Sequence, residues 1–95
     1  MESEIRHERS GHRGAFVWQM EGKRLAEMTY TVAGSRVIID HTHVDESLRG
    51  KGVGVQLVQA AVQFARTENV RLMPLCPYAK SVFDKTPEYS DVLAK

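Results

Sequence analysis

Apolar residues recur every three to four positions between Val53 and Thr67, which is the spacing of one face of an α-helix. Val58 and Val62 widen this apolar face, so we expect the helix to pack closely against a sheet. The other apolar positions are Val53, Leu57, Ala61 and Phe64, and the polar face is formed by Gln56, Gln59, Gln63 and Arg66.

The segments before this helix are rich in β-branched and aromatic residues and are separated by turn signals at Glu21-Gly22 and Gly34-Ser35. The order of elements predicts an α+β (mixed α/β) fold, with mostly antiparallel N-terminal strands followed by strand–helix–strand–helix and a right-handed parallel crossover. The predicted strands are Ile5 to Glu8, Ala15 to Trp18, Leu25 to Val32, Arg36 to Val44 and Val70 to Leu75, and the second helix is Tyr78 to Lys85.

Length and charge restrict the function further. The chain has 95 residues, so we expect one domain spanning residues 1–95. A formal net charge of +1 argues against a broad nucleic-acid surface, and no apolar run approaches the roughly 20 residues of a membrane span. The N-terminus lacks a signal-peptide pattern, and the single cysteine cannot form an internal disulfide. We therefore expect a cytoplasmic protein with a reduced thiol, and neither nucleic acid nor membrane as a partner.

The segment Arg49-Gly50-Lys51-Gly52-Val53-Gly54 lies between a predicted strand and the long helix. Its glycines permit tight turns and close approach of a ligand, and the helix start offers unpaired N–H groups and a positive dipole end. This combination predicts a phosphate or pyrophosphate site. The spacing fits neither a P-loop, because Gly52 follows Lys51, nor a dinucleotide fingerprint, because Val55 occupies the third glycine position.

The same segment resembles the pyrophosphate motif of the GCN5-related N-acetyltransferases, Arg/Gln-x-x-Gly-x-Gly/Ala, with Arg49, Gly52 and Gly54 in the matching places. The resemblance implies a core of that family, truncated at both ends because the usual N-terminal helices and final strand pair have no counterpart. It also implies acetyl-CoA as co-substrate and no metal. The CoA-binding residues that it implies are His43, Val44, Arg49, Gly50, Lys51, Gly52, Val53, Gly54, Tyr78, Ala79 and Phe83.

The string Leu75-Cys76-Pro77 places a thiol just before the second helix, because proline favours the first helical turn. A cysteine at a helix N-terminus can have a lowered pKa and act as a nucleophile. The alternative is a small buried side chain that fills a gap in the core.

The last family motif often reads Asn-x-x-Ala-x-x-x-Tyr-x-Lys, and Ala79 and Lys85 match it. Cys76 replaces the asparagine, and Phe83 replaces the tyrosine that in the family commonly protonates the departing CoA thiolate. Tyr78 and Tyr89 could substitute for it, and the spacing selects neither.

Two histidines precede the glycine segment. His41-Thr42-His43-Val44 and Cys76-Pro77-Tyr78 resemble the strings of a subfamily of very small acetyltransferase-like proteins. His41 and His43 alternate along a strand and are expected to share one face, where His41 could act as a general base or as the partner of Cys76. A zinc site formed by these two histidines and Cys76 lacks a fourth ligand and is set aside.

The sequence thus favours an acetyl-CoA-dependent N-acetyltransferase that acts on an unknown small-molecule or protein amine, either directly or through acetyl-Cys76. The first alternative is a non-catalytic module that binds CoA or acetyl-CoA. The second is a protein-interaction domain that retains the fold with an empty glycine loop.

Overall fold

A computed structural model describes residues 3–94 and contains, within that range, five strands, two α-helices and two 3₁₀ segments. The elements in chain order are β1 (Ser3–Ser10), β2 (Arg13–Met20), β3 (Lys23–Ala33), β4 (Arg36–Val44), a 3₁₀ segment (Glu46–Leu48), α1 (Val53–Glu68), β5 (Arg71–Pro74), α2 (Pro77–Lys85) and a second 3₁₀ segment (Pro87–Val92).

The strands form one sheet in the order β1-β2-β3-β4-β5. Neighbouring strands are antiparallel from β1 to β4, whereas β4 and β5 are parallel and are joined by α1. This arrangement confirms the predicted α+β class and the parallel crossover. The differences from the predicted bounds are small, and the largest are in the first two strands, where β1 spans Ser3–Ser10 instead of Ile5 to Glu8 and β2 spans Arg13–Met20 instead of Ala15 to Trp18.

The helix α1 begins and ends at left-handed residues, Gly52 with φ 75° and Asn69 with φ 56°. Its apolar face packs against the sheet and α2 in a single hydrophobic core, as its periodicity predicts. The buried residues of α1 are Val53, Gly54, Leu57, Val58, Ala61, Val62 and Ala65. Among residues 3–94, no helix has both the length and the apolar character needed to cross a membrane.

Strand β4 contains a bulge that strict alternation does not predict. Tyr30 pairs with Ile39 and Thr29 pairs with His41, so Asp40 is an extra residue in the ladder. The extra residue reverses which side chains of β4 face the core after Ile39. Thr42, and not His41, therefore lies on the same inward face of the strand as Ile39. His41 is exposed and Thr42 is half-buried.

Candidate functional site

A cleft of about 330 Å³ opens where β4 and β5 separate, beside the N-terminus of α1. The two strands pair only from Arg36–Arg71 to Ile39–Pro74. Beyond this point the N–H groups of Leu75 and Cys76 both donate to the Ile39 carbonyl, at 3.1 and 3.2 Å, and β4 continues to Val44 without a parallel partner. The cleft is lined by Thr42, Val44, Leu48, Arg49, Gly50, Gly52, Val53, Gly54 and Tyr78.

The loop that forms one wall is held by local contacts. The Asp45 carboxylate accepts hydrogen bonds from the N–H of Ser47 at 3.0 Å and from its hydroxyl, and these bonds lower the pKa of Asp45. Leu48 anchors the loop in the core, being 5% exposed. Gly50 and Gly52 have φ of 79° and 75°, a region in which any other residue would be strained.

The start of α1 is open to an anion. The first bond of the helix ladder runs from the Gln56 N–H to the Gly52 carbonyl at 3.1 Å, so the N–H groups from Gly52 to Val55 precede the ladder. Gly52 provides no side-chain cap, and the first turn holds no acidic residue. A side-chain carbon built at Gly50 or Gly52 would meet no atom within 4 Å, so the surface above both glycines is accessible. Arg49 lines this surface.

The Tyr78 ring lies directly against the helix start. Gly54 is buried, and a Cβ atom there would collide with the ring and hydroxyl of Tyr78. Partial burial raises the pKa of Tyr78, so its phenol stays protonated at neutral pH. Glycine at position 54 is therefore needed for the tyrosine to reach the cleft, in addition to any need for close approach of a ligand.

Cys76 is the N-cap of α2, is 6% exposed and lies behind Thr42, which lines the cleft. Its Sγ donates to the Thr42 Oγ1 at 3.3 Å. Burial raises the pKa of Cys76, but the thiolate form is stabilised by hydrogen bonds that it accepts from the Thr42 hydroxyl and from the backbone of Ala79, Tyr78 and Thr42, so the net pKa is below its ordinary value. This is the environment expected of a nucleophilic thiol at a helix N-terminus.

The structure does not bring His41 or His43 to Cys76. Both histidines share a face, as predicted, but they flank Thr42 in the strand and therefore point to the opposite side of the sheet from the cleft. The predicted Cys76–His41 pair is therefore wrong as a direct contact, because the bulge at Asp40 inverts the alternation. The side chain of His43 lines a separate depression of about 50 Å³ and not the cleft, so its predicted contact with the cofactor stays a prediction for its backbone alone.

Three other predicted cofactor residues lie outside the lining of the cleft. Ala79 and Phe83 are core residues, 0% and 5% exposed, and Lys51 is exposed beside the loop. Tyr89 packs edge-on against Phe83 at 6.0 Å between ring centroids, away from the cleft, so the structure favours Tyr78 over Tyr89 as the available phenol.

Two lining residues, Thr42 and Leu48, are absent from the predicted set. Thr42 could have been found from the sequence. Val44 is predicted to face the cofactor, and side chains along a strand alternate between its two faces, so Thr42 should face the cofactor as well and the His43 side chain should not. Leu48 carries no comparable signal in the sequence. Among the described residues, no group of three or more His, Cys, Asp or Glu side chains could hold a metal ion.

Comparisons with known proteins agree with this geometry. A family model described as GCN5-related N-acetyl-transferase matches residues 15–92. Protein NATD1 of Bos taurus is 29% identical over 85 residues, which cover 87% of this chain and 75% of that protein. The solution structure of a GCN5-like protein from Staphylococcus aureus is 35% identical, with a TM-score of 0.71 and coverage of 96% of this chain and 87% of that one. The ribosomal-protein-S18-alanine N-acetyltransferase of Escherichia coli shares the fold, at 16% identity and a TM-score of 0.69 over 81% of this chain and 53% of its own.

Proposed function

The chain belongs to the GCN5-related N-acetyltransferase family, and from this premise we propose that residues 1–95 act as one acetyl-CoA-dependent N-acetyltransferase domain. Acetyl-CoA would supply an activated acetyl thioester, and the acceptor would be an amine of a small molecule or a protein. The observation that carries the proposal is the open cleft that runs from the uncapped start of α1 to Thr42, whose hydroxyl contacts the thiol of Cys76.

The cleft has the features that CoA requires. Free N–H groups at the start of α1 and the guanidinium of Arg49 suit a pyrophosphate, since both favour negative charge. The unpaired edge of β4 from Asp40 to Val44 offers backbone groups to an extended, amide-containing chain such as pantetheine. These features support CoA over a bare phosphate, because the cleft continues inward from the helix start to Thr42.

Cys76 and Tyr78 support chemistry at the inner end of the cleft. In the covalent route, the Cys76 thiolate attacks the thioester carbonyl carbon, and the bond from that carbon to the CoA sulfur breaks. The Tyr78 hydroxyl donates a proton to the departing sulfur and later regains one from the incoming amine. The amine attacks acetyl-Cys76, forms the amide and releases the Cys76 thiolate. Thr42 stabilises this thiolate in both steps through its hydroxyl.

In the direct route, the amine attacks the thioester without an acetyl-Cys76 intermediate. His41 lies on the opposite face of β4 from the cleft, exposed and next to Thr42 in the strand. An amine that approaches from that face could lose its proton to His41 while Cys76 only lines the acetyl site. The two routes use the same substrates but depend on residues on different faces of β4, the covalent route on Cys76 and the direct route on His41.

A non-catalytic CoA-binding module is the second candidate, and Phe83 favours it. Phe83 is buried against Tyr89 and has no proton to give, although the family commonly has a tyrosine at this position. The phenol of Tyr78 in the cleft opposes this candidate, since it offers a protonated hydroxyl from a different turn of α2.

Calorimetric titration with CoA and acetyl-CoA, followed by intact-mass measurement after incubation with acetyl-CoA, tests the proposal. We expect both ligands to bind, and an added acetyl mass that disappears in Cys76→Ala if the covalent route operates. Tyr78→Phe should retain binding and slow release of CoA. Binding without adduct or turnover of any tested amine would favour the non-catalytic module, and absence of binding would refute the proposal.

A further inference from the structure

The edge strand β1 carries a charge pattern that is complementary to itself. It pairs with β2 on one side, and no strand of the described residues pairs with its other side. Glu4, Arg6 and Glu8 lie on the face of the sheet that α1 does not cover, whereas Ile5 and His7 face the side of the core. We propose that β1 pairs antiparallel with β1 of a second copy of this chain.

The backbone groups for this pairing follow from the hairpin geometry. β1 and β2 are joined by a two-residue turn, so the flanking pair Ser10–Arg13 is hydrogen-bonded, and so are Glu8–Ala15 and Arg6–Val17. The intervening residues Ile5, His7 and Arg9 direct their N–H and C=O groups away from β2. These groups form the free edge.

Charge selects one register among the possible antiparallel ones. When His7 opposes His7 of the second copy, Arg6 lies directly opposite Glu8 of the other strand, twice per dimer, and residues 4–10 of both strands overlap. Sliding one strand along the other by two residues changes these pairs. In one direction Arg6 comes to lie opposite Arg6 of the other copy, and in the other direction Glu8 comes to lie opposite Glu8. Like charges in opposed positions destabilise a sheet. The charges therefore favour a single register and disfavour its neighbours.

The side chains concerned are available for this contact. Arg6 is exposed and makes no ion pair or hydrogen bond with any described residue. Glu8 binds Arg24 at 2.8 Å on the solvent side and keeps exposed carboxylate surface, with 44% of its side chain accessible. Arg6 and Glu8 of opposed strands form a non-hydrogen-bonded pair, in which side chains are closest.

Pairing would join the two sheets through a two-fold axis without obstructing the cleft, because the cleft lies between β4 and β5 at the far edge of the sheet. A contact of one strand per copy is at the small end of protein interfaces. The expected dimer is therefore weak and forms with increasing concentration.

Sedimentation velocity from micromolar to millimolar concentration tests the pairing. We expect the wild-type chain to associate, Arg6→Glu to remain monomeric because it places glutamate opposite Glu8 at two positions of the dimer, and the double variant Arg6→Glu/Glu8→Arg to associate again. Thermal unfolding confirms that each variant is folded, since the change at Glu8 also removes its contact with Arg24. A wild-type chain that stays monomeric throughout, or an Arg6→Glu variant that associates like wild type, would overturn the proposal.

A second pair of variants separates backbone pairing from charge. Arg9→Pro removes an N–H of the free edge while leaving the bonds to β2 intact, and Arg9→Ala is its matched control, because both lose the contact of Arg9 with the Phe64 ring. We expect Arg9→Pro to abolish association and Arg9→Ala to retain it. Equal association of the two variants would contradict pairing through β1.

Discussion

The hydroxyl of Thr42 is expected to control the reactivity of Cys76. Its removal in Thr42→Val keeps the shape of the side chain but deletes the partner that lies 3.3 Å from the sulfur. A hydrogen bond to a charged group contributes about 1.5–3 kcal/mol, and one pKa unit corresponds to about 1.4 kcal/mol. The site is 6% exposed, so water can replace the lost bond only in part.

We therefore expect the pKa of Cys76 to rise in Thr42→Val, and alkylation below that pKa to slow by roughly tenfold or more. The assay is the rate of iodoacetamide alkylation as a function of pH. Thr29→Val is the matched control, because Thr29 lies on the opposite face of the sheet and donates to the His41 carbonyl. An unchanged pKa in Thr42→Val, or a wild-type pKa at or above the ordinary value, would refute the reasoning.

Three further predictions concern packing and pH. Gly54→Ala should lower the thermal midpoint and weaken CoA binding, because the added Cβ displaces the Tyr78 ring. Addition of Tyr78→Ala to this variant should recover part of the stability. If the two substitutions lower the thermal midpoint by amounts that simply add, the contact between the two residues is contradicted. Arg66→Ala should speed amide hydrogen exchange in the segment Pro87–Val92, because Arg66 binds the Asp91 carboxylate at 2.9 and 3.0 Å. An unchanged exchange rate would show that this ion pair does not hold the segment in place. Burial lowers the pKa of His7 below its ordinary value of about 6.5, and the positive charge of Arg9 lowers it further, although the negative charge of Glu68 acts to raise it. His7 should therefore stabilise the fold above pH 6.5 and lose that contribution as the pH falls through its lowered pKa, and the urea midpoint of wild type relative to that of His7→Phe should be higher at pH 7 than at pH 5.

The regular elements could be predicted from the sequence because their periodicity is strong. The apolar face of α1, and the β-branched residues of Arg36 to Val44 after the turn at Gly34-Ser35, each predict an element within a residue of its observed bounds. The turn at Gly50 and Gly52 was also predictable, since glycines just before a helix favour a turn, whereas ligand binding there stays a prediction. Pro77 correctly placed Cys76 at the start of α2.

Counting back by two from Val44 places Thr42 on the cofactor side, but its contact with Cys76 could not be predicted, because a single bulge decides how this half of β4 faces the half that pairs with β5. The sequence around Asp40 contains no glycine or proline that marks an extra residue, and the bulge depends on how β4 pairs with β3. The position of Tyr78 against Gly54 likewise depends on how α2 packs beside α1, which involves contacts between residues distant in sequence. Such contacts leave no local pattern.

Binding of acetyl-CoA by the loop from Arg49 to Gly54 is best tested by an NMR titration of amide resonances. The chain of 95 residues is small enough for residue-specific assignment. We expect saturable shifts at Gly50, Gly52, Val53 and Gly54 on addition of acetyl-CoA, with little change along β1 at the far edge of the sheet. Absence of shifts at saturating acetyl-CoA, or shifts confined to residues outside the cleft, would contradict it.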